Sequence, residues 1–283
     1  MTEKQQTELF LKVKDFSVSK KEFSLYIDVS IDLLATFPQP SLDELGSYYE
    51  SEDYISHTDS ARSWFEKIYQ IIKKTAIQQK LKLVLKQQKS KGILLDIGCG
   101  TGDFLVAAKA FGWQIKGFEP NEKARNIAQQ KGVELFYSTQ DLADNSVDVI
   151  TMWHVLEHVP DVRSQIAELK RLIKPGGTII IAVPNYKSYD AKHYQNFWAA
   201  YDVPRHLWHF SKKSIQSLFA EQNLELIKVK PMWFDSFYVS LLSEKYKSGK
   251  MNFVKGFWHG IVSNLSGLFS KEYSSHIYII KNS

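Results

Sequence analysis

The residues best placed to do chemistry lie between Leu94 and Pro120. Leu94-Leu-Asp-Ile-Gly-Cys-Gly-Thr-Gly-Asp103 leaves an apolar run and enters a helical pattern, with Gly98, Gly100 and Gly102 spaced G-x-G-x-G. Such glycines let the backbone turn sharply and approach a ligand, and the first turn of the helix offers unpaired N–H groups. A nicotinamide fingerprint requires G-x-G-x-x-G, but position 103 is Asp. A pyrophosphate would face the carboxylates of Asp96 and Asp103, whereas a sulfonium and a zwitterionic amino-acid tail suit them. Glu119, in Gly117-Phe-Glu-Pro120, follows about twenty residues after the loop, where an acid clasps both ribose hydroxyls. The spacing therefore predicts an S-adenosylmethionine site built from Asp96, Gly98, Gly100, Gly102, Glu119 and Pro120.

Two further clusters carry titratable side chains. His154 and His158 stand one helical turn apart with Glu157 beside them. This set meets metal-ligand spacing, and capping or helix packing explains it equally well. We expect no resident metal, with His154 as a wall of the cofactor pocket and a candidate base. The second cluster is Tyr201-Asp-Val-Pro-Arg-His-Leu-Trp-His-Phe-Ser211. Arg205, His206 and His209 are expected to face an anionic or phenolic acceptor, with Tyr201 as a wall and His206 as the other candidate base. The competing reading pairs Asp202 with Arg205 and packs the aromatics as a lid.

The elements that must position these residues follow from periodicity. Residues 9–40 read as short strands joined by polar turns. Ser41, with Glu44 three residues on, reads as a helix N-cap. Apolar residues recur at helical spacing from Ser60 to Gln88, as one long helix or two in tandem. Beyond Gly92, strands and helices alternate: strands at 93–97, 114–118, 133–137, 147–152, 178–183, 225–229 and 276–280, and helices at 103–111, 121–131, 162–172 and 211–222. Alternation of this kind predicts an α/β fold, with a mostly parallel sheet covered by helices on both faces. We divide the chain into a small β-rich extension (1–60) and a main domain (61–283), with a helical insertion at 236–272.

Composition bounds the rest. The 283 residues, 44% hydrophobic and 24% charged, are enough for a substantial core without disulfides. One cysteine, Cys99, excludes a disulfide framework and a cysteine-built zinc site, and the polar N-terminus has no apolar signal core. Both favour a cytoplasmic address, and no run is apolar and long enough to span a membrane. The net charge of +5 is uneven: residues 62–91 hold nine basic residues against the single acid Glu66. Such a helix tracks phosphates or presents a solvated face, and the solvated face is the expectation. The stretch between Met232 and Tyr273 carries Trp233, Phe234, Phe237, Tyr238, Phe253, Phe257 and Trp258, read as core or a cover over an apolar acceptor, or else as a homodimer or membrane-surface contact.

Over residues 61–283 the chain resembles the class I S-adenosylmethionine-dependent methyltransferases, and among them the ubiquinone-biosynthesis-like small-molecule branch. The likeness is carried by Leu94–Gly102, Phe118-Glu-Pro120, His154-Val-Leu-Glu-His-Val159 and Leu172-Ile-Lys-Pro-Gly-Gly177. It implies a Rossmann-like, doubly wound seven-stranded sheet whose last strand is antiparallel. It also implies Thr139 and Gln140 near the adenine, and Trp153 and His154 beside the reacting methyl. The front end resembles a subgroup that begins with a cysteine zinc ribbon, with Asp28 and Ile31 where a cysteine pair would stand. The expectation is a ribbon that has lost its metal.

The function expected is methyl transfer to a small-molecule acceptor, at a hydroxyl oxygen. The alternatives are an RNA or protein methyltransferase docking through the basic helix 62–91, and a non-catalytic S-adenosylmethionine-binding protein. Met152-Trp-His-Val155 replaces the Asn/Asp-Pro-Pro-aromatic motif of amino methylation, and the only cysteine lies in the glycine loop. Both facts count against nucleic acid as a partner.

Overall fold

The computed structural model describes residues 7–49, 64–88 and 91–283. Its strands are β1 (Thr7–Lys14), β2 (Glu22–Asp28), β3 (Leu33–Phe37), β4 (Ile93–Ile97), β5 (Gln114–Phe118), β6 (Glu134–Phe136), β7 (Val147–Trp153), β8 (Ile173–Pro184), β9 (Trp208–His209), β10 (Glu225–Pro231) and β11 (Ser275–Lys281). Its α-helices are α1 (Leu42–Leu45), α2 (Trp64–Gln87), α3 (Asp103–Ala110), α4 (Glu122–Gln130), α5 (Val162–Leu172), α6 (Tyr189–Tyr194), α7 (Lys212–Ala220), α8 (Asp235–Ser248) and α9 (Phe253–Ser270).

The main sheet has seven strands in the order β10-β11-β8-β7-β4-β5-β6. Strands β4 to β8 pair in parallel, and β11 runs antiparallel to both β8 and β10. The expected Rossmann-like sheet with an antiparallel last strand is thus present. Along β8, Ile179, Ile181 and Val183 enter one core and Ile180 enters the core on the opposite face. A sheet buried on both faces needs this continuous β-branched run rather than polar alternation. From β4 the chain winds outward to β6, then returns to β7 beside β4 and winds the other way. That reversal leaves a crevice outside the carboxyl ends of β4 and β7, where doubly wound sheets bind ligands. Gly98 to Gly102 follow β4 into this crevice, and His154 follows β7.

The N-terminal strands form a second sheet, β1-β2-β3-β9, whose fourth member comes from the main domain. Leu34 pairs with His209 and Ala35 with Trp208. The turn at Asp28–Asp32, where the resemblance places a cysteine pair, is held by side chains. Asp28 Oδ1 accepts from the Ser30 amide at 3.0 Å, and the Tyr186 hydroxyl donates to Asp32 Oδ1 at 2.7 Å. Ser41 and Glu44 form the reciprocal capping box expected of them.

Buried Thr36 ties β3 to the 206–209 segment of the main domain: its Oγ1 donates to the His206 carbonyl at 2.7 Å and lies 3.0 Å from His209 Nε2. The hydroxyl proton is committed to His206, so His209 must donate from Nε2. Thr36→Val conserves volume and strands that N–H. We predict a loss of about 1–3 kcal/mol, read as a lower denaturation midpoint; an unchanged midpoint would contradict the role assigned to Thr36.

Helices α8 and α9 fill the insertion before β11 and pack against each other and α6. Among the described residues no helix is long and apolar enough to cross a membrane.

Candidate active site

The glycine loop is a shaped cradle. Gly98, Gly100 and Gly102 have φ of +72°, +54° and +76°. A Cβ on Gly98 would lie 2.4 Å from Val155 Cγ2, so only glycine fits there. The loop is held to the next strand by the Gly98 and Cys99 amides, which donate to the Phe118 carbonyl at 2.8 and 3.1 Å.

Glu119 is 8% exposed and is aimed by two backbone donors. The Gly100 amide donates to Oε2 at 2.8 Å and the Asn121 amide to Oε1 at 2.9 Å. Each oxygen keeps a second lone pair, which suits the acid for two adjacent ribose hydroxyls. Pro120 follows it, just ahead of Asn121, the N-cap of α4. Asp96, on β4, is 3% exposed and accepts from Thr151 Oγ1 on neighbouring β7 at 2.6 Å. Burial raises the Asp96 pKa to about 7, although the Thr151 bond and the Lys80 charge pull it down. Asp103 differs from expectation, because its carboxylate is taken up by Lys131 at 2.6 Å and Lys73 at 2.8 Å. Asp96 is therefore the acid of this loop left to meet a cationic ligand.

Thr139 and Gln140 form a short 3₁₀ turn beyond β6, tied down by Arg171 on the Thr139 carbonyl at 3.1 Å. Trp153 ends β7 with its Nε1 buried and unpartnered, and Lys80 of α2 lies 4.5 Å over its ring. Burial lowers the Lys80 pKa, against the pull of Asp96 and Asp235.

His154 has a left-handed φ of +58°, a strained conformation for a residue with a Cβ. Its Nδ1 lies 3.2 Å from Glu157 Oε1, and its Nε2 forms a 3.0 Å ion pair with Asp235 Oδ2 at the start of α8. Burial alone would lower its pKa, but the charges of Asp235 and Glu157 outweigh burial and raise it to about 10. With a carboxylate beside each ring nitrogen the imidazolium form is favoured, which counts against the base role expected of it.

His206 has the opposite character. It is 8% exposed, and Nδ1 donates to the Ala200 carbonyl at 2.9 Å, which leaves the lone pair on Nε2. Burial, with the neighbouring His158 and His209, holds its pKa well below the usual value. Both effects favour the neutral ring with the proton on Nδ1. His154, His158, Asp202, Arg205, His206, Asp235 and Tyr238 line a cavity of about 530 Å³. Asp202 and Arg205 form the ion pair that the competing reading of this segment foresaw.

Tyr201 and His209 do not line this cavity. Tyr201 is 2% exposed and packs edge-on against Trp198 and His209. Burial takes the His209 pKa down to about 3, and its ring joins Thr36 beneath the N-terminal sheet. The expectation that they touch the acceptor is corrected to a packing role, because pairing of β9 with β3 turns this stretch into core.

A second cavity, about 1370 Å³, is walled by Trp153, Trp233, Phe234, Phe237, Phe257 and Trp258, and shares Asp235, Tyr238 and Leu241 with the first. Sequence reasoning missed Lys80 and Asp235. Lys80 was legible in part: Ala76 and Leu83, at helical spacing from it, line the same cavity. Glu157, His158 and His206 hold donor atoms within 4.8 Å of one another, a set able to take a divalent ion.

Residues 62–229 match the family model described as a methyltransferase domain. The ubiquinone biosynthesis O-methyltransferase of Vibrio atlanticus is 34% identical over 125 residues, spanning 38% of this chain and 53% of that protein. Its counterpart in Coxiella burnetii is 30% identical over 153 residues, spanning 50% of this chain and 65% of that protein. The chain thus spans about half to two thirds of the length of these relatives. Among solved structures, geranyl diphosphate C-methyltransferase of Streptomyces coelicolor aligns with a TM-score of 0.54 at 14% identity, covering 80% of this chain and 86% of that one. A possible histamine N-methyltransferase of Thermotoga maritima aligns with a TM-score of 0.51 at 21% identity, covering 73% and 89%. At those identities the structural likeness speaks to the fold.

Proposed function

This chain belongs to the methyltransferase-domain family, and we propose that it transfers a methyl group from S-adenosylmethionine to a hydroxyl oxygen of a small amphipathic molecule. The observation that carries this reading is the cavity with titratable side chains at the end of β7, on the same sheet edge as the glycine cradle and Glu119. Glu119 takes the ribose hydroxyls, Asp96 the ammonium of the methionine tail, and Pro120, Thr139 and Gln140 the nucleoside end. The cofactor supplies the electrophilic methyl and a neutral thioether leaving group. Displacement is in line, so the chain's contribution is alignment of the acceptor. His206 Nε2 accepts the hydroxyl proton, while His154 and Arg205, each already paired with carboxylates, form the cavity wall beside the acceptor. The aromatic cavity houses the apolar part of the acceptor, and the related Vibrio and Coxiella O-methyltransferases support an oxygen acceptor.

A small acceptor is favoured over a docked RNA or protein because Lys73 and Lys80 of the basic helix turn inward, to Asp103 and Trp153. The test is label transfer from methyl-labelled S-adenosylmethionine to phenols with and without an apolar chain. Transfer to the chain-bearing phenols supports the reading, and label appearing only in RNA or protein sinks it.

Asp96 sets the pH dependence of cofactor binding. Its folded pKa is raised to about 7, so the carboxyl becomes neutral as pH falls through that value. Affinity for the cationic cofactor should therefore drop by several-fold between about pH 8 and about pH 6, and Asp96→Asn should abolish the dependence. A flat calorimetric profile in the unaltered protein would contradict this assignment.

A further inference from the structure

The inserted helices enclose a polar cluster that the catalytic reading does not use. His193 on α6, Glu244 on α8 and His259 on α9 each place one ligand atom within 4.8 Å of the other two. None of the three lines either cavity described above. The two imidazoles stack at 4.0 Å with planes 27° apart. His259 Nδ1 is buried and has no hydrogen-bond partner. A buried polar atom without a partner is costly and points to a missing ligand. Glu244 is 5% exposed, and the Tyr194 hydroxyl donates to its Oε1 at 3.2 Å, an outer contact of the kind that orients ligating carboxylates.

We propose that His193, Glu244 and His259 bind a Zn²⁺ ion, with water as the fourth ligand. Two imidazoles and a carboxylate are a common zinc donor set. Ligation needs neutral imidazoles, and burial lowers the pKa of both histidines; Lys247 adds to this for each, with Glu244 opposing. Bond lengths of roughly 2.0–2.2 Å require the ligand atoms to close to about 3.5 Å, and because stacked rings hold their lone pairs in near-parallel planes, one imidazole must rotate out of the stack on binding. The helices already meet closely: a Cβ on Gly260, beside His259, would lie 3.0 Å from Phe237 Cα. A bound ion would cross-link α6, which follows β8, to the α8–α9 pair. Asp235 and Tyr238 of α8 line the acceptor cavity, so the ion would fix one wall of it.

The test is calorimetric titration of Zn²⁺ into the metal-stripped full chain, in the unaltered protein and in His259→Gln, His193→Gln and Glu157→Gln. The proposal predicts one tight equivalent in the unaltered protein. It predicts at least a tenfold loss of affinity in both histidine variants and retention in Glu157→Gln, which alters the separate cluster at the cavity. Circular dichroism identifies any variant that fails to fold, and the remaining histidine variant then carries the result. Co²⁺ in the unaltered protein should give the visible absorption of a tetrahedral nitrogen–oxygen site. The proposal is overturned if the unaltered protein binds no tight equivalent, if that equivalent survives in either folded histidine variant, or if it disappears in Glu157→Gln. The readout is metal binding, so it stands or falls separately from the catalytic reading.

Discussion

Glu119→Ala should weaken S-adenosylmethionine binding by two orders of magnitude or more in calorimetry. The substitution removes two charge-assisted hydrogen bonds to the ribose, worth about 1.5–3 kcal/mol each, and about 1.4 kcal/mol is tenfold in affinity. It also strands the Gly100 and Asn121 amides that the carboxylate satisfies at 2.8 and 2.9 Å. The loop that cradles the ligand therefore loosens with the clasp. Glu119→Gln keeps the shape and an acceptor oxygen but places an NH₂ against one backbone donor, so it should fall between the two. An Ala variant that binds as tightly as the unaltered protein would remove Glu119 from the site.

His206→Ala should lower kcat by about 10²–10⁴ while leaving cofactor affinity near its original value, because a positioned base contributes on that scale. His206 lines the acceptor cavity, and Nε2 is the ring nitrogen that the Ala200 carbonyl does not engage. Its pH signature is distinctive. A base whose pKa is depressed stays neutral through the neutral range and is lost only when pH falls through that depressed value. The kcat profile should therefore be flat across neutrality, while kcat/KM for the cofactor declines below about pH 7 as Asp96 protonates. His154 should show the converse. Held as an imidazolium by Asp235 and Glu157, it loses its charge only as pH rises through about 10. Equal losses of kcat in His206→Ala and His206→Gln, with cofactor affinity falling in step, would indicate a packing role instead.

The parts of the site that are local in sequence were legible. Gly98 to Gly102, Glu119 and the strands around them lie within a single β–α–β unit, where turn chemistry and spacing determine geometry. Non-local pairings were not legible. His209 reads as an acceptor-facing residue until β3 pairs with β9 and buries it against Thr36. His154 reads as a base until Asp235, from an insertion far along the chain, meets its Nε2. Lys80 reads as one charge among many on a basic helix, and only packing of α2 over β7 sets it on Trp153. In each case the role of a titratable group depends on a partner supplied by the tertiary fold, which local spacing does not reveal.

The central claim is that the glycine cradle and the histidine-lined cavity are two halves of one reaction centre. A structure of the protein with S-adenosylhomocysteine bound tests this most directly. The account predicts both ribose hydroxyls on Glu119, the ammonium toward Asp96, and the sulfur at the end of β7 facing the cavity lined by His154 and His206. A ribose held away from Glu119, or a sulfur pointing away from that cavity, would contradict it.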